Sequence, residues 1–276
     1  MAFQKLVRYE EGGEACYGDL VNSDERGHLI KKLRGNLEDG FTATSETFTA
    51  QAVEPKLLCP VERTPIIMCV GLNYRKHAEE AKLTVPKYPV IFAKPADALA
   101  GPTQDVIVHP VAQERLDYEG ELCVVMGRDA KNISASEALD YVLGYTIGND
   151  ISARNFQAPG VSGGQFTYAK AFDTFAPIGP AIYSRELVPD PQKLKYRTIV
   201  NGELRQETET SDMIWTVQQI IEHLTKGTTL RRGTVIMTGT PSGVGAIQGK
   251  YLKDGHVVVV ELDSLGMISN KIVFEK

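Results

Sequence analysis

The chain of 276 residues is poor in cysteine. Its four, Cys16, Cys59, Cys69 and Cys123, are widely spaced and form no CxxC pair or zinc-knuckle pattern, so neither a thiolate zinc site nor a disulfide framework is expected. Cys69 and Cys123 sit in apolar runs and read as small buried hydrophobes; such usage fits a reducing compartment, the cytosol. Positive charge is also short. Thirty Lys and Arg against 35 Asp and Glu leave a net charge of −5, without the basic footprint that nucleic-acid binding needs. No apolar run approaches the length of a membrane span, and no membrane partner is expected. The opening MAFQKLVRYE lacks the apolar core of a signal peptide and the arginine-rich amphipathicity of a transit peptide, and the closing FEK carries no sorting or lipidation signal. Internal repeats and low-complexity stretches are missing, as is the regular strand–helix alternation of a parallel βα fold.

What remains is an ordinary globular composition, 42% apolar and 24% charged, with the texture of strands. Residues 1–64 carry short alternating runs and read as a small N-terminal β-rich domain, residues 65–276 as a larger one. KLVRYEEGGEACYGDL predicts a hairpin turning at Gly12-Gly13, and EPKLLCPVERTP, spaced by Pro55, Pro60 and Pro65, a linker. A buried strand from Ile66 to Val70 then runs into Gly71. Asn73 is placed to cap a helix over YRKHAEEAKL that Pro86 and Pro89 end. PVIFAKP, LDYEGELCVV and GYTIGNDIS predict strands, APGVSGGQF a glycine-rich loop, and KLKYRTIVNGELRQE a hairpin at Asn201-Gly202. In SDMIWTVQQIIEHLTKG, Met213, Ile214, Val217, Ile221 and Leu224 recur at helical spacing, from a start at Ser211 or Asp212 to Gly227 past the end. HVVVVELDSLGMISNKIVF predicts two strands about a turn. Strands outnumber helices: the class is α+β and β-rich.

LDYEGELCVV sets a problem. At the two-residue period of a strand, Asp117, Glu119 and Glu121 share one face, which continues apolar through Cys123 and Val125. Buried unpaired carboxylates are costly, so something positive must face them. With Asp150 at the end of GYTIGND, Glu119 and Glu121 suit a hard divalent cation held by oxygen, Mg²⁺, Mn²⁺ or Ca²⁺. The alternative is an edge strand whose acidic face meets water or pairs with Lys and Arg. Gly120 between them removes a side chain from the opposite face, where it allows close packing.

His77 and Glu80 are three apart on the predicted helix and within mutual reach. A carboxylate beside an imidazole orients it as a general base, although such pairs also occur on solvated helix faces. Lys170 in TYAKAFDTFAPIGP and Lys94 in FAKPADALAGP are lysines in apolar surroundings, either able to meet an anionic ligand. For Lys94 the preferred reading is a snorkelling stem with its head in water. MTGTPSGVGA lacks the ending of a P-loop and the spacing of a dinucleotide fingerprint, but its backbone N–H groups could form a nest for a small carboxylate.

Taken in order, VGLNYRKHAEE, PVIFAKPADALAGP, LDYEGELCVV, GYTIGNDISARNFQ, YAKAFDTFAPIGP, VNGELRQ and MTGTPSGVG resemble the fumarylacetoacetate hydrolase family over roughly residues 66–276. The resemblance implies a mixed β-sandwich roll behind a small N-terminal domain, assembled as a homodimer. It implies Glu119, Glu121 and Asp150 as ligands of Mg²⁺ or Mn²⁺, with Asp117 outside the set. It implies His77 and Glu80 as a base dyad on a lid helix, Lys170 beside the bound substrate, and Arg154, Gln157 and Thr240 near it. MCVGLNY carries no acid where the larger members have a further aspartate ligand, which places the chain with the shorter acylpyruvate hydrolase and oxaloacetate decarboxylase branch. The implied activity is metal-dependent hydrolysis of a carbon–carbon bond in an acylpyruvate-type 2,4-dioxo acid, giving pyruvate and a carboxylic acid. The alternatives are decarboxylation of oxaloacetate or a related β-keto acid, isomerisation or hydration of a 2-hydroxydienoate, and a non-catalytic metal-dependent binder.

Overall fold

The computed structural model describes residues 2–24, 27–51, 57–263 and 265–276. Of the predicted linker, residues 54–56 lie outside them. The local turn chemistry places the hairpins where it predicts them. Lys5–Glu11 and Glu14–Asp24 pair antiparallel up to Glu11↔Glu14, with Gly12 and Gly13 at φ +62° and +85°. Lys195–Val200 and Glu203–Glu209 close on Asn201 and Gly202, both at positive φ, as a tight primed turn demands. Val257–Leu262 and Gly266–Phe274 form the hairpin of the tail.

Among the described residues the strands form one sheet of twelve, one of five and a two-stranded pair. The large sheet runs from Gly40–Gln51 through Gly27–Asn36, Glu14–Asp24 and Lys5–Glu11 to Ala176–Ser184. It continues through Val142–Asn149, Gly120–Met126, Val235–Met237 and Ile67–Gly71 to Val90–Lys94. The N-terminal meander therefore continues the sheet that carries the acidic strand, joined at Lys5↔Tyr183 and Leu6↔Ile182. The five-stranded sheet orders Glu203–Glu209, Lys195–Val200, Val257–Leu262, Gly266–Phe274 and Val106–Val108. A core that includes Tyr118, Leu122, Val124, Ile147, Tyr196, Val258 and Val260 fills the space between the sheets. No helix among the described residues is long and apolar enough to cross a membrane.

At Gly120 the two sheets are in close contact. A Cβ on it would meet Thr198 Oγ1 at 2.1 Å and Val260 Cγ1 at 3.0 Å, so the missing side chain serves close packing, as expected.

Two helices depart from expectation, and one residue explains both. The 217–225 helix starts not at Ser211 or Asp212 but after Thr216, whose hydroxyl accepts from Gln219 N while the Gln219 side chain accepts from Thr216 N, a capping box. Met213 and Ile214 precede it, because residues 213–215 are pinned by the 73–74 segment. Ile214 N donates to Asn73 O, and Trp215 N to Asn73 Oδ1 at 2.8 Å. Asn73 spends its amide on Trp215 O and on Thr238 O at 2.7 Å, so it does not cap the helix that follows. That helix is Arg75–Glu80, with Tyr74 as its N-cap. It stops before Pro86 and Pro89 are reached, the chain turning at Lys82 with φ +53°.

Candidate metal centre and catalytic cleft

The predicted strand 116–125 is broken, and the break makes the site. Gly120–Met126 pairs with Val142–Asn149 as far as Gly120↔Asn149. Below that level Leu116–Asp117 pairs with Ser152–Ala153, leaving Tyr118–Glu119 and Asp150–Ile151 in neither ladder. The gap is closed by Asp150 N donating to Glu119 O at 2.8 Å and Glu119 N to Asn149 Oδ1 at 2.9 Å. There Glu119, Glu121 and Asp150 converge, all buried, each with a carboxylate oxygen within 4.8 Å of the others. Asp117 turns elsewhere: it accepts from Gly245 N, Ala246 N and Arg154 Nε at 2.7–2.9 Å.

Three cations balance the cluster. Lys170 Nζ donates to Glu119 Oε2 (2.8 Å), Asp150 Oδ2 (2.6 Å) and Ser152 Oγ (2.7 Å). Arg154 bridges Asp117 and Glu119 and donates to Gln157 Oε1 at 2.7 Å. The third is Lys94, and here the sequence reading is overturned. Its head does not reach water: the residue is 1% exposed, its Nζ is ion-paired with Asp150 Oδ1, and it donates to the carbonyls of Ile151 and Phe175. The apolar stem runs inward because the partner carboxylate, 56 residues on in the sequence, lies in the core.

The electrostatics divide the three acids. Burial raises the Glu119 carboxyl, but Lys170 and then Arg154 outweigh it and hold it down to about 2. Glu121 makes no ion pair among the described residues and accepts one N–H, from Gly239 at 2.7 Å. Burial first, then Asp150 and Glu119, push its carboxyl well above the usual range. On Lys170, burial opposes the charge, yet Asp150 and Glu119 together drive its ammonium upward. The donor set is all carboxylate oxygen and includes one acid with no cation of its own. These residues fit a hard divalent cation and can hold one.

Glu119 and Lys170 open into a cleft of about 400 Å³ whose lining also includes His77, Arg154, Gln157 and Thr240. Its other wall is apolar, with Leu72, Leu83, Phe92 and Phe166. His77 Nδ1 lies 3.6 Å from Glu80 Oε2, in contact but beyond hydrogen-bond length. Glu80 Oε2 is instead engaged by Gly243 N at 3.0 Å. Six of the nine residues singled out by sequence therefore share one cleft; Glu121 and Asp150 lie among its buried neighbours and Glu80 behind His77. Sequence reasoning misplaced the head of Lys94 and passed over Asn149, Ser152 and Gln206, whose side chains tie this region together. Gln206 had a signal, its place in VNGELRQ.

Residues 66–273 match the model of the fumarylacetoacetate (FAA) hydrolase C-terminal domain. The chain belongs to the fumarylacetoacetate hydrolase family. Among curated members, it is 43% identical over 228 residues to a fumarylacetoacetate hydrolase domain-containing protein 2 homolog of Dictyostelium discoideum, covering 79% of this chain and 74% of that one. It is 41% identical over 255 residues to the mitochondrial oxaloacetate tautomerase FAHD2A of Homo sapiens, covering 89% and 81%. A solved family structure, the 2-hydroxyhepta-2,4-diene-1,7-dioate isomerase of Mycobacterium marinum, superposes with a TM-score of 0.84 at 33% identity over 99% of both chains. The β-rich roll expected from the motifs is the fold of the family.

Proposed function

We propose that the chain is a divalent-metal-dependent enzyme that moves a proton on a small 2-oxo acid, interconverting the keto and enol forms of oxaloacetate or a close analogue. The observation that carries this reading is the juxtaposition, at one cleft, of a three-carboxylate cluster, the cations Lys170 and Arg154, and an imidazole. The relatives named oxaloacetate tautomerases, 38–42% identical over 79–89% of this chain, support the choice of substrate. Glu119, Glu121 and Asp150 would hold a divalent cation, which would supply Lewis acidity to a bound 2-oxo acid. His77, with Glu80 behind it, takes the proton from C3. Lys170 and Arg154 place positive charge where the enolate oxygen develops its negative charge. His77 returns the proton to that oxygen, so the reaction consumes no water and releases no fragment.

Hydrolysis of an acylpyruvate is the second reading, favoured by the apolar wall of Leu72, Leu83, Phe92 and Phe166, which suits an acyl substituent. In it His77 draws a proton from water, the hydroxide adds to the distal carbonyl, and the bond to C3 breaks to leave the pyruvate enolate and a carboxylic acid. The discriminating experiment incubates the purified chain with oxaloacetate and, separately, acetylpyruvate, in Mg²⁺, Mn²⁺ or EDTA. Metal-dependent acceleration of enol decay without pyruvate marks tautomerisation. Pyruvate with acetate marks hydrolysis, and pyruvate with carbon dioxide decarboxylation. A chain that turned over neither substrate and bound no metal would defeat the enzyme reading. His77→Ala is expected to lower turnover by roughly 10²–10⁴-fold with Mn²⁺ binding retained; turnover at the wild-type rate would remove His77 from the mechanism.

A further inference from the structure

The two glutamates of the cluster stand on either side of Gly120, on a backbone that has lost the neighbour on one of its edges. The ladder between Gly120–Met126 and Val235–Met237 ends at Cys123↔Met237, and the last contacts there are from Thr238 N and Oγ1 to Leu122 O. Beyond them the chain swings off through Gly239 at φ +105°. Gly120 still has Asn149 beside it on one side, but on the 235–237 side its N–H and C=O are buried without a strand to pair with, a state that costs free energy unless side chains replace the ladder.

Gln206 supplies the replacement from the other sheet. Its Oε1 accepts from Gly120 N at 3.0 Å, while its Nε2 donates to Thr240 Oγ1 at 2.8 Å and to Pro241 O at 3.1 Å. Thr240 Oγ1 donates in turn to Gly120 O at 3.0 Å. One carboxamide, 2% exposed, thus joins the residue between two candidate ligands to the turn whose threonine lines the cleft. The approach is built for it. The hairpin register slips between Thr198↔Gln206 and Ile199↔Leu204, leaving Arg205 as an extra residue, and a bulge of this kind re-aims the side chains beside it.

We propose that Gln206 is a positioning residue for the metal centre: through Gly120 and Thr240 it sets the spacing of Glu119 and Glu121. This rests on the metal-enzyme reading above. Gln206→Met preserves length and volume but leaves three polar groups without their partner. Gln206→Asn keeps the amide, one carbon too short to reach both sides, and serves as the milder variant should the first not fold. Thr198→Val is the control, since it lies in the same contact between sheets and its hydroxyl has no partner among the described residues.

The experiment titrates each folded, metal-free protein with Mn²⁺ and follows the free ion by electron paramagnetic resonance, with circular dichroism and thermal unfolding in EDTA alongside. Both Gln206 variants are expected to weaken Mn²⁺ by about tenfold or more, the usual cost of disturbing the support of a metal ligand, with Thr198→Val within twofold of wild type. A folded Gln206→Asn that binds Mn²⁺ as wild type does would overturn the positioning role. So would a Thr198→Val as weak as the Gln206 variants, since the effect would then belong to the packing. Wild-type protein that takes up no Mn²⁺ would overturn the metal reading itself.

Discussion

Glu121→Gln is expected to lower Mn²⁺ affinity by at least about a hundredfold, more than disturbing an outer-shell partner does, while the metal-free protein melts no lower than wild type. The two halves of that result have one cause. Glu121 is the acid of the cluster without a cationic partner among the described residues, and its carboxyl is pushed up by burial and by Asp150 and Glu119. A group whose folded-state pKa is raised contributes stability that is fully present below its unfolded value and is lost as pH rises through the folded one. The wild-type metal-free protein should therefore lose stability as pH rises above the ordinary carboxyl range. Glutamine, neutral and of the same shape, should flatten that part of the profile. Cation binding must displace the proton, so wild-type Mn²⁺ affinity should climb with pH. Thermal unfolding in EDTA and Mn²⁺ titration across pH check both; a variant that binds Mn²⁺ like wild type would remove Glu121 from the ligand set.

Lys94→Met is expected to act in the opposite sense, mainly on the fold. Asp150 is gripped on its two oxygens by two buried ammoniums, Lys94 on Oδ1 and Lys170 on Oδ2. Removing Lys94 strips one of them and leaves the Ile151 and Phe175 carbonyls without that donor. Breaking a buried pair from one side costs about 3–5 kcal/mol, which in a chain of this size lowers the melting temperature by roughly 6–20 °C. Saturating Mn²⁺ should then stabilise Lys94→Met by more than it stabilises wild type, because the added dication answers a larger uncompensated charge. Melting curves with and without Mn²⁺ test this, and an unchanged metal-free melting point would show that the pair carries no stability.

The contrast between these two residues also marks what could be read from the sequence. Asn201-Gly202 and Gly12-Gly13 are legible because a tight turn is decided by the backbone freedom of the residues in it. The convergence of Glu119, Glu121 and Asp150 is legible because carboxylates ending apolar strands need a common answer. Lys94 is not: whether a lysine stem snorkels or dives depends on a carboxylate distant in sequence. The same holds for Asn73, which has the chemistry of a cap but is drawn away by Trp215 and Thr238, and for the break at Tyr118–Glu119, where local propensity favours a continuous strand. Each misreading is a long-range contact outweighing a local preference.

The pairing of charges around Asp150 has a consequence for how this chain can change. Neutralising Glu121 strands no cation among the described residues, so on the expectation above a divalent ion would be one substitution from being lost. Asp150 and Glu119 are different, since each is knotted to ammonium or guanidinium groups that would be stranded without it. A descendant without a metal would shed Glu121 first and keep Lys94, Lys170, Asp150 and Glu119 as a relic, because each acid is paired with two cations and only concerted replacement of the whole network takes them out.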